Sequence, residues 1–204
     1  NNFLKCKFSI TCNSGTSAIF LAMQAINLKK NDVIVMPAIN FISSYNIAKL
    51  FGAKIYLADV NAQTGQMTPK DFIDCCKKFK LKKIKALIVM YNGGYPENAD
   101  KFKKLKKKYG FFLIEDACHA LGASYISDNK NIMVGSCRHS DLCTFSFHPL
   151  KSITTGEGGL VTTNSQHIYD KVKKLSSLGI EKKKNHWEYD VLFTGFNFRL
   201  TDFQ

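Results

Sequence analysis

The sequence holds no apolar run approaching the roughly 20 residues needed to span a bilayer. Its opening stretch, NNFLKCKFSITCNSG, has no long apolar core ahead of a small-residue cleavage site, so no signal peptide is read there. The seven cysteines, Cys6, Cys12, Cys75, Cys76, Cys118, Cys137 and Cys143, never adopt the C-x-x-C spacing of zinc or redox sites. No metal site is expected. An odd count without a secretion signal predicts reduced thiols in a cytoplasmic protein. Nucleotide-phosphate loops of the G-x-x-x-x-G-K-[ST] type and dinucleotide loops of the G-x-G-x-x-G type are both missing. So are helix-turn-helix, zinc-finger and RNP-type aromatic motifs. Those last absences bear on the formal net charge of +13, which alone invites a nucleic-acid partner. The charge concentrates in KKFKLKKIK (77–85), KFKKLKKKYG (101–110) and EKKKNHWE (181–188). In the first two, apolar residues recur at helical spacing and lysine takes the outer face. Solvated helix faces account for such runs, and neither a nucleic-acid nor a membrane partner is expected.

What is present suits a globular protein. The chain has 204 residues, 45% hydrophobic and 22% charged, enough for one domain with a real core. It lacks an initiator Met and stops at RLTDFQ, inside what reads as an element, so a fragment is expected. Strand-like and helix-like stretches alternate. Strands are read at 8–12, 32–37, 54–60, 85–91, 111–117, 142–147 and 158–163. Helices are read at 14–28, 41–52, 68–79, 98–110 and 167–179. The third helix opens with a Thr cap and Pro69 at its first position, and the fourth ends in Gly110. Continuous apolar strands between helices predict an α/β fold, a mostly parallel sheet with helices on both faces. No repeat, low-complexity tract or linker interrupts it.

Ligands of such sheets collect at the carboxyl ends of the strands. After the first strand comes NSGTSA (13–18). Gly15 permits a tight turn, and Thr16 and Ser17 bring hydroxyls and amides to a helix N-terminus, which suits a phosphate or a plain helix cap. After the fifth comes EDACHALGA (115–123). Side chains alternate, so one of Glu115 and Asp116 faces the crevice. A carboxylate there can hold a proton on a ring nitrogen. His119 can reach the same ligand or serve as a structural histidine. The last stretch is FSFHPLKSITTGEGG (145–159), with Lys151 isolated among apolar and small residues. A partly dry lysine gives up its proton more easily, and the neutral amine can form a Schiff base with an aldehyde. Phosphate site, crevice acid and lysine together match the needs of pyridoxal phosphate.

The sequence resembles the sugar aminotransferases of the DegT/DnrJ/EryC1/StrS family. The resemblance rests on NSGTSA, PAINFISSYNIAKLFGAKIYLADV, LIEDACHALGASY, FSFHPLKSITTGEGG and GFNFRLTDFQ, which cover nearly the whole chain. It implies an aspartate-aminotransferase-like, fold-type-I large domain over 1–204. The N-terminal segment and the small C-terminal domain of the family would be missing. EDACHALGA with FSFHPLK is most similar to the members that aminate C4 of a UDP-linked 4-keto-6-deoxy amino sugar on the way to pseudaminic acid.

The resemblance also implies roles. Lys151 would hold the pyridoxal phosphate aldehyde and shuttle a proton. Asp116 would pair with the pyridine nitrogen, and His119 would hydrogen-bond the ring 3-hydroxyl. Phe41 would stack on the ring, with Cys118 near its other face. Gly15, Thr16 and Ser146 would hold the phosphate. Asn197 would reach the phosphate in a neighbouring subunit, which requires a homodimer with shared sites. Arg199 would bind an acidic substrate group or close a local salt bridge. Lysine at 151, where sugar 3-dehydratases of the family carry His, favours transamination. The implied reaction passes an amino group from glutamate to a nucleotide-linked keto-6-deoxy sugar, in surface-polysaccharide or glycan sugar biosynthesis. VMYNGGYPENAD (89–100) departs from the family's short turn, and its tyrosines map to no family role. Two alternatives stand beside this reading: a catalytically silent or regulatory relative, and a basic nucleic-acid-binding α/β module.

Overall fold

A computed structural model describes residues 1–185 and 187–204. His186, inside the third basic stretch, lies outside the described residues. Seven strands form the main sheet: β1 (Phe8–Cys12), β2 (Val33–Pro37), β3 (Lys54–Ala58), β4 (Ala86–Met90), β5 (Phe112–Asp116), β8 (Leu142–Ser146) and β9 (Gly159–Thr163). Their order is β1-β9-β8-β5-β4-β2-β3. Strands β3, β2, β4, β5 and β8 pair in parallel. Only β9 runs against them, pairing antiparallel with β8 on one side and β1 on the other. Hence β1, β4, β5 and β8 all end at the same edge of the sheet.

Five helices cover the two faces: α1 (Gly15–Ala25), α2 (Ile42–Leu50), α3 (Pro69–Lys78), α4 (Ala99–Tyr109) and α5 (Gln166–Leu175). The period-two alternation of each strand divides its side chains between two cores. Ala86 and Ile88 of β4 pack with α1, α2 and α5, while Leu87 and Val89 pack with α3 and α4. All five residues of β4 are buried, which explains its unbroken apolar run. Burying each large aliphatic side chain contributes about 1.5–3 kcal/mol.

Local chemistry sets the helix ends. Thr68 and Asp71 form a reciprocal capping box at α3, with Pro69 behind it. Helix α4 closes on Gly110 at φ 73°. Helix α1 stops at Ala25, short of the 28 read from the apolar pattern, because Asn27 turns the chain back at φ 55°.

Most lysines of α4 are solvated, but not all. Lys106 Nζ pairs with Asp141 Oδ1 at 2.6 Å and Lys103 donates to Arg138 O at 3.0 Å, docking the basic helix onto the 138–141 segment. Two hairpins escaped the sequence reading. The first joins β6 (Ser124–Ser127) to β7 (Lys130–Met133) through Asp128 and Asn129, both at positive φ. The second pairs β10 (Ile180–Lys182) with β11 (Tyr189–Val191). All seven cysteines are free, six of them buried. Among the described residues no helix is long and apolar enough to cross a membrane.

Candidate active site

The chain leaves β1 and turns into α1 over two residues, Asn13 and Ser14. Ser14 caps the helix, its Oγ accepting the Ser17 N–H at 3.0 Å. The Ser17 hydroxyl donates to Asn13 Oδ1 at 2.6 Å. Both Ser17 donors, which the sequence left open between a phosphate and a helix cap, therefore serve the cap. The first intrahelical bond runs from Ala18 N–H to Ser14 O, so the Gly15 and Thr16 amides remain as the open donors of the helix N-terminus. Gly15 faces the end of β8 so closely that a Cβ there would sit 2.7 Å from Ser146 Cβ. Thr16 Oγ1 lies 3.2 Å from Ser43 Oγ and ties α1 to the start of α2.

Strand β5 ends in the two acids. Glu115 points to the α3/α4 side, 2% exposed, and accepts the Tyr91 hydroxyl at 2.9 Å. Burial pushes its carboxyl up to about 7. Asp116 points the other way, 1% exposed, with Oδ1 accepting the Cys118 N–H at 3.2 Å. Its Oδ2 is buried and has no hydrogen-bond partner among the described residues. Burial raises the Asp116 carboxyl, while Cys118 hydrogen bonds and the His119 and Lys151 charges pull it back down. Burial and the Lys151 charge lower His119, with Asp116 opposing them. The Cys118 thiol is driven well up, first by burial and then by the Asp116 charge.

Lys151 closes a tight turn, its N–H bonded to His148 O at 2.9 Å. The loop around it is pinned. Thr154 Oγ1 and Thr155 N–H both donate to Phe147 O, at 2.9 and 3.1 Å. Phe147 N–H donates to Gly158 O at 2.8 Å. The small residues around Lys151 thus build a rigid frame that leaves the lysine half-buried.

These segments surround one cavity of about 290 Å³, at the small end for a ligand site. Gly15, Thr16 and Ser146 line it, as do Asp116, Cys118, His119, Lys151 and Phe41. Eight of the nine residues given a cofactor role in the sequence therefore meet. The ninth, Asn197, is exposed and does not line the cavity. Its carbonyl lies 3.5 Å from Asn13 Nδ2, beside the start of α1. Arg199 donates to Ser177 Oγ at 2.7 Å, and among the described residues it forms no salt bridge. Ser43, Met90, His148, Leu150 and Glu157 also line the cavity without having been singled out. His148, Leu150 and Glu157 belong to the FSFHPLKSITTGEGG stretch and were legible there. Ser43 carries no sequence signal beyond a place early in a helix.

A pyridine-sized ligand fits what is present: an unpartnered buried carboxylate oxygen, open amides beside a side-chain-free Gly15, and a lysine on a pinned loop. Sheet order and cavity define an aspartate-aminotransferase-like domain of fold type I, the fold of pyridoxal-phosphate transaminases. Residues 1–204 match the DegT/DnrJ/EryC1/StrS aminotransferase family, and the chain belongs to that family. It is 38% identical over 200 residues to the UDP-4-amino-4,6-dideoxy-N-acetyl-beta-L-altrosamine transaminase of Campylobacter jejuni strain 81-176, covering 98% of this chain and 50% of that protein. It is 32% identical to the GDP-perosamine synthase of Escherichia coli O157:H7, covering 96% of this chain and 50% of that one. Among solved structures, Helicobacter pylori PseC, an aminotransferase involved in pseudoaminic acid biosynthesis, superposes with a TM-score of 0.84 at 29% identity, over 98% of this chain and 51% of that one. The chain spans about half the length of the curated relatives it matches.

Proposed function

We propose that this chain is the cofactor-binding domain of a pyridoxal-phosphate aminotransferase that moves an amino group from glutamate to C4 of a UDP-linked keto-6-deoxy sugar. The observation that carries the reading is Asp116 Oδ2, buried without a partner in the cavity that Lys151 lines. Leaving a buried acceptor unsatisfied costs about 1–3 kcal/mol, and more for a charge. A ligand that brings its own N–H removes that cost, and a protonated pyridine nitrogen is such a ligand. When bound, pyridoxal phosphate supplies an aldehyde that exchanges amino groups and a ring that takes up electron density.

The residues divide the work. The Gly15 and Thr16 amides and the Ser146 hydroxyl grip the phosphate. Asp116 holds the ring-nitrogen proton. His119 donates to the ring hydroxyl, and Phe41 and Cys118 flank the ring faces. Lys151 would hold the aldehyde and carry protons beside it. A homodimer completes the site. Exposed Ile39, Phe41, Ile42, Leu150 and Ile153 sit in the α2-start and Lys151 loops, an apolar rim suited to a second copy. Asn197, outside its own cavity, reaches the partner's phosphate. Free, mostly buried thiols favour the cytoplasm. The UDP-sugar assignment rests on the Campylobacter relative, and a GDP-linked sugar is the competing substrate.

The test is pyridoxal phosphate added to the full-length protein, followed by borohydride reduction and peptide mass spectrometry. A covalent label on Lys151, absent in Lys151→Ala, is expected. Glutamate with UDP- or GDP-linked 4-keto-6-deoxy sugars then decides the acceptor. A folded protein that takes no label refutes the reading.

A further inference from the structure

Between β4 and α4 the chain makes a tight turn, Tyr91–Gly94, with Gly93 at φ 65° and Gly94 at φ 83°. Tyr91 N–H donates to Asp116 O at 3.1 Å, and its hydroxyl donates to Glu115 Oε1 at 2.9 Å. Gln66 reaches the other side of the turn and donates Nε2–H to Asn92 O at 2.7 Å. Gln66 is 3% exposed and is itself fixed, its carbonyl accepting the Asn61 N–H at 2.9 Å. The clamped turn lies on the main chain of His119, where a Cβ at Gly94 would be 2.4 Å from His119 O. Gly93 then donates its N–H to His119 Nδ1 at 3.3 Å.

A ring nitrogen that accepts an N–H carries no proton of its own. The proton of the neutral imidazole therefore sits on Nε2. We propose that Gln66 and the Tyr91–Gly94 turn are positioning elements that hold Gly93 N–H on His119 Nδ1, keeping the ring neutral with Nε2–H as its one donor. The usefulness of that donor rests on the function proposed above; the geometry does not. Protonation of the ring would set two N–H groups against each other. Asp116 and Lys151 are the charged groups acting on His119, and they pull in opposite directions. The Gly93 contact therefore works with Lys151 and with burial against the pull of Asp116.

The experiment is nitrogen-15 NMR of full-length protein with ring-labelled histidine and no added cofactor, so a failure to bind pyridoxal phosphate leaves it intact. Wild-type His119 is expected as the Nε2–H tautomer. Gln66→Met keeps the side-chain length and removes the donor to Asn92. It is expected to mix the tautomers and raise the His119 midpoint by about 0.4–1 in pH, the equivalent of one hydrogen bond. Tyr91→Phe releases the turn from the Glu115 side and carries the test if Gln66→Met does not fold. His167, exposed on α5, reports on the fold and should not move. A wild-type Nδ1–H tautomer, or variants that leave both tautomer and midpoint unchanged, overturns the proposal.

Discussion

Replacing Gly15 with alanine forces a Cβ into the contact between α1 and β8. It would lie 2.7 Å from Ser146 Cβ, 3.0 Å from Ser146 Oγ and 3.3 Å from Ser146 Cα. The Oγ can turn away about χ1, but Cβ and Cα are fixed to the strand backbone and cannot. Strand β8 is held by β5 and β9 on its two sides, so the helix start has to yield. Such overpacking costs about 1–3 kcal/mol. The smaller unfolded-state entropy of alanine returns about 0.4–1 kcal/mol. The net loss of about 1–2 kcal/mol lowers Tm by about 2–8 °C for a chain of this size. Moving the helix start also pulls the Gly15 and Thr16 amides away from the Ser146 hydroxyl. Losing one hydrogen bond to a charged group, about 1.5–3 kcal/mol, weakens pyridoxal phosphate roughly ten- to hundredfold. Thermal melts with and without cofactor, and a fluorescence titration, read the two effects separately. Adding Ser146→Gly removes the colliding atoms, so the two substitutions should couple and the double variant should melt above Gly15→Ala. Its cofactor affinity should stay low because the hydroxyl is gone. A Gly15→Ala protein that melts and binds like wild type refutes the packing argument. So does a double variant whose losses simply add.

Asp116→Asn removes the unpartnered charge, so the cofactor-free protein should be no less stable in urea while pyridoxal phosphate binds roughly ten- to hundredfold more weakly; unchanged affinity would remove Asp116 from the site. Glu115 titrates near 7 in the fold against 4.5 for the free group, so the folded state holds the proton more tightly between those values. Stability should then fall as pH rises from about 4.5 to 7, by about 3 kcal/mol in all, and stay at the lower level above that. Urea midpoints of Glu115→Gln, whose amide oxygen still accepts from Tyr91, should lack this fall. Thr68→Ala breaks the α3 capping box and should cost about 1 kcal/mol in a urea titration with cofactor binding unchanged.

Strands β4, β5 and β8 were legible in the sequence because a parallel strand covered on both faces has to be apolar at successive positions. The β6–β7 and β10–β11 hairpins are short and mostly exposed, so no apolar run marks them. Gly15 and Asp116 could be found because each sits just past or at the end of a strand, whereas Ser146 came only with the family resemblance. Ser17 shows the limit of that rule: a hydroxyl early in a helix suits a ligand and a cap equally, and here Asn13 and Ser14 take it. Arg199 shows another limit. Its partner is the Ser177 hydroxyl, 22 residues away, and sequence spacing gives no reason to join them. The Gly93–His119 contact spans 26 residues and depends on two consecutive positive φ values, which the GlyGly pair permits but does not announce.

Glu115 and Asp116 are the same chemistry one residue apart, and the pleat gives them different tasks. Glu115 has Tyr91 as a donor, and its protonation near neutral pH limits what its burial costs. Asp116 is equally buried, and burial raises its carboxyl against the opposing pull of Cys118, His119 and Lys151, but one of its oxygens has no donor among the described residues. A satisfied acid against the α3/α4 core serves the fold. An unsatisfied acid at the strand end costs stability that only a bound cation or N–H donor returns. Exchanging the two residues would preserve composition and net charge while placing the longer acid in the cavity and the shorter one beyond reach of Tyr91. If the pleat assigns the tasks, Glu115→Asp/Asp116→Glu should lose both stability and cofactor affinity. A protein that needed only two acids at this strand end would lose neither.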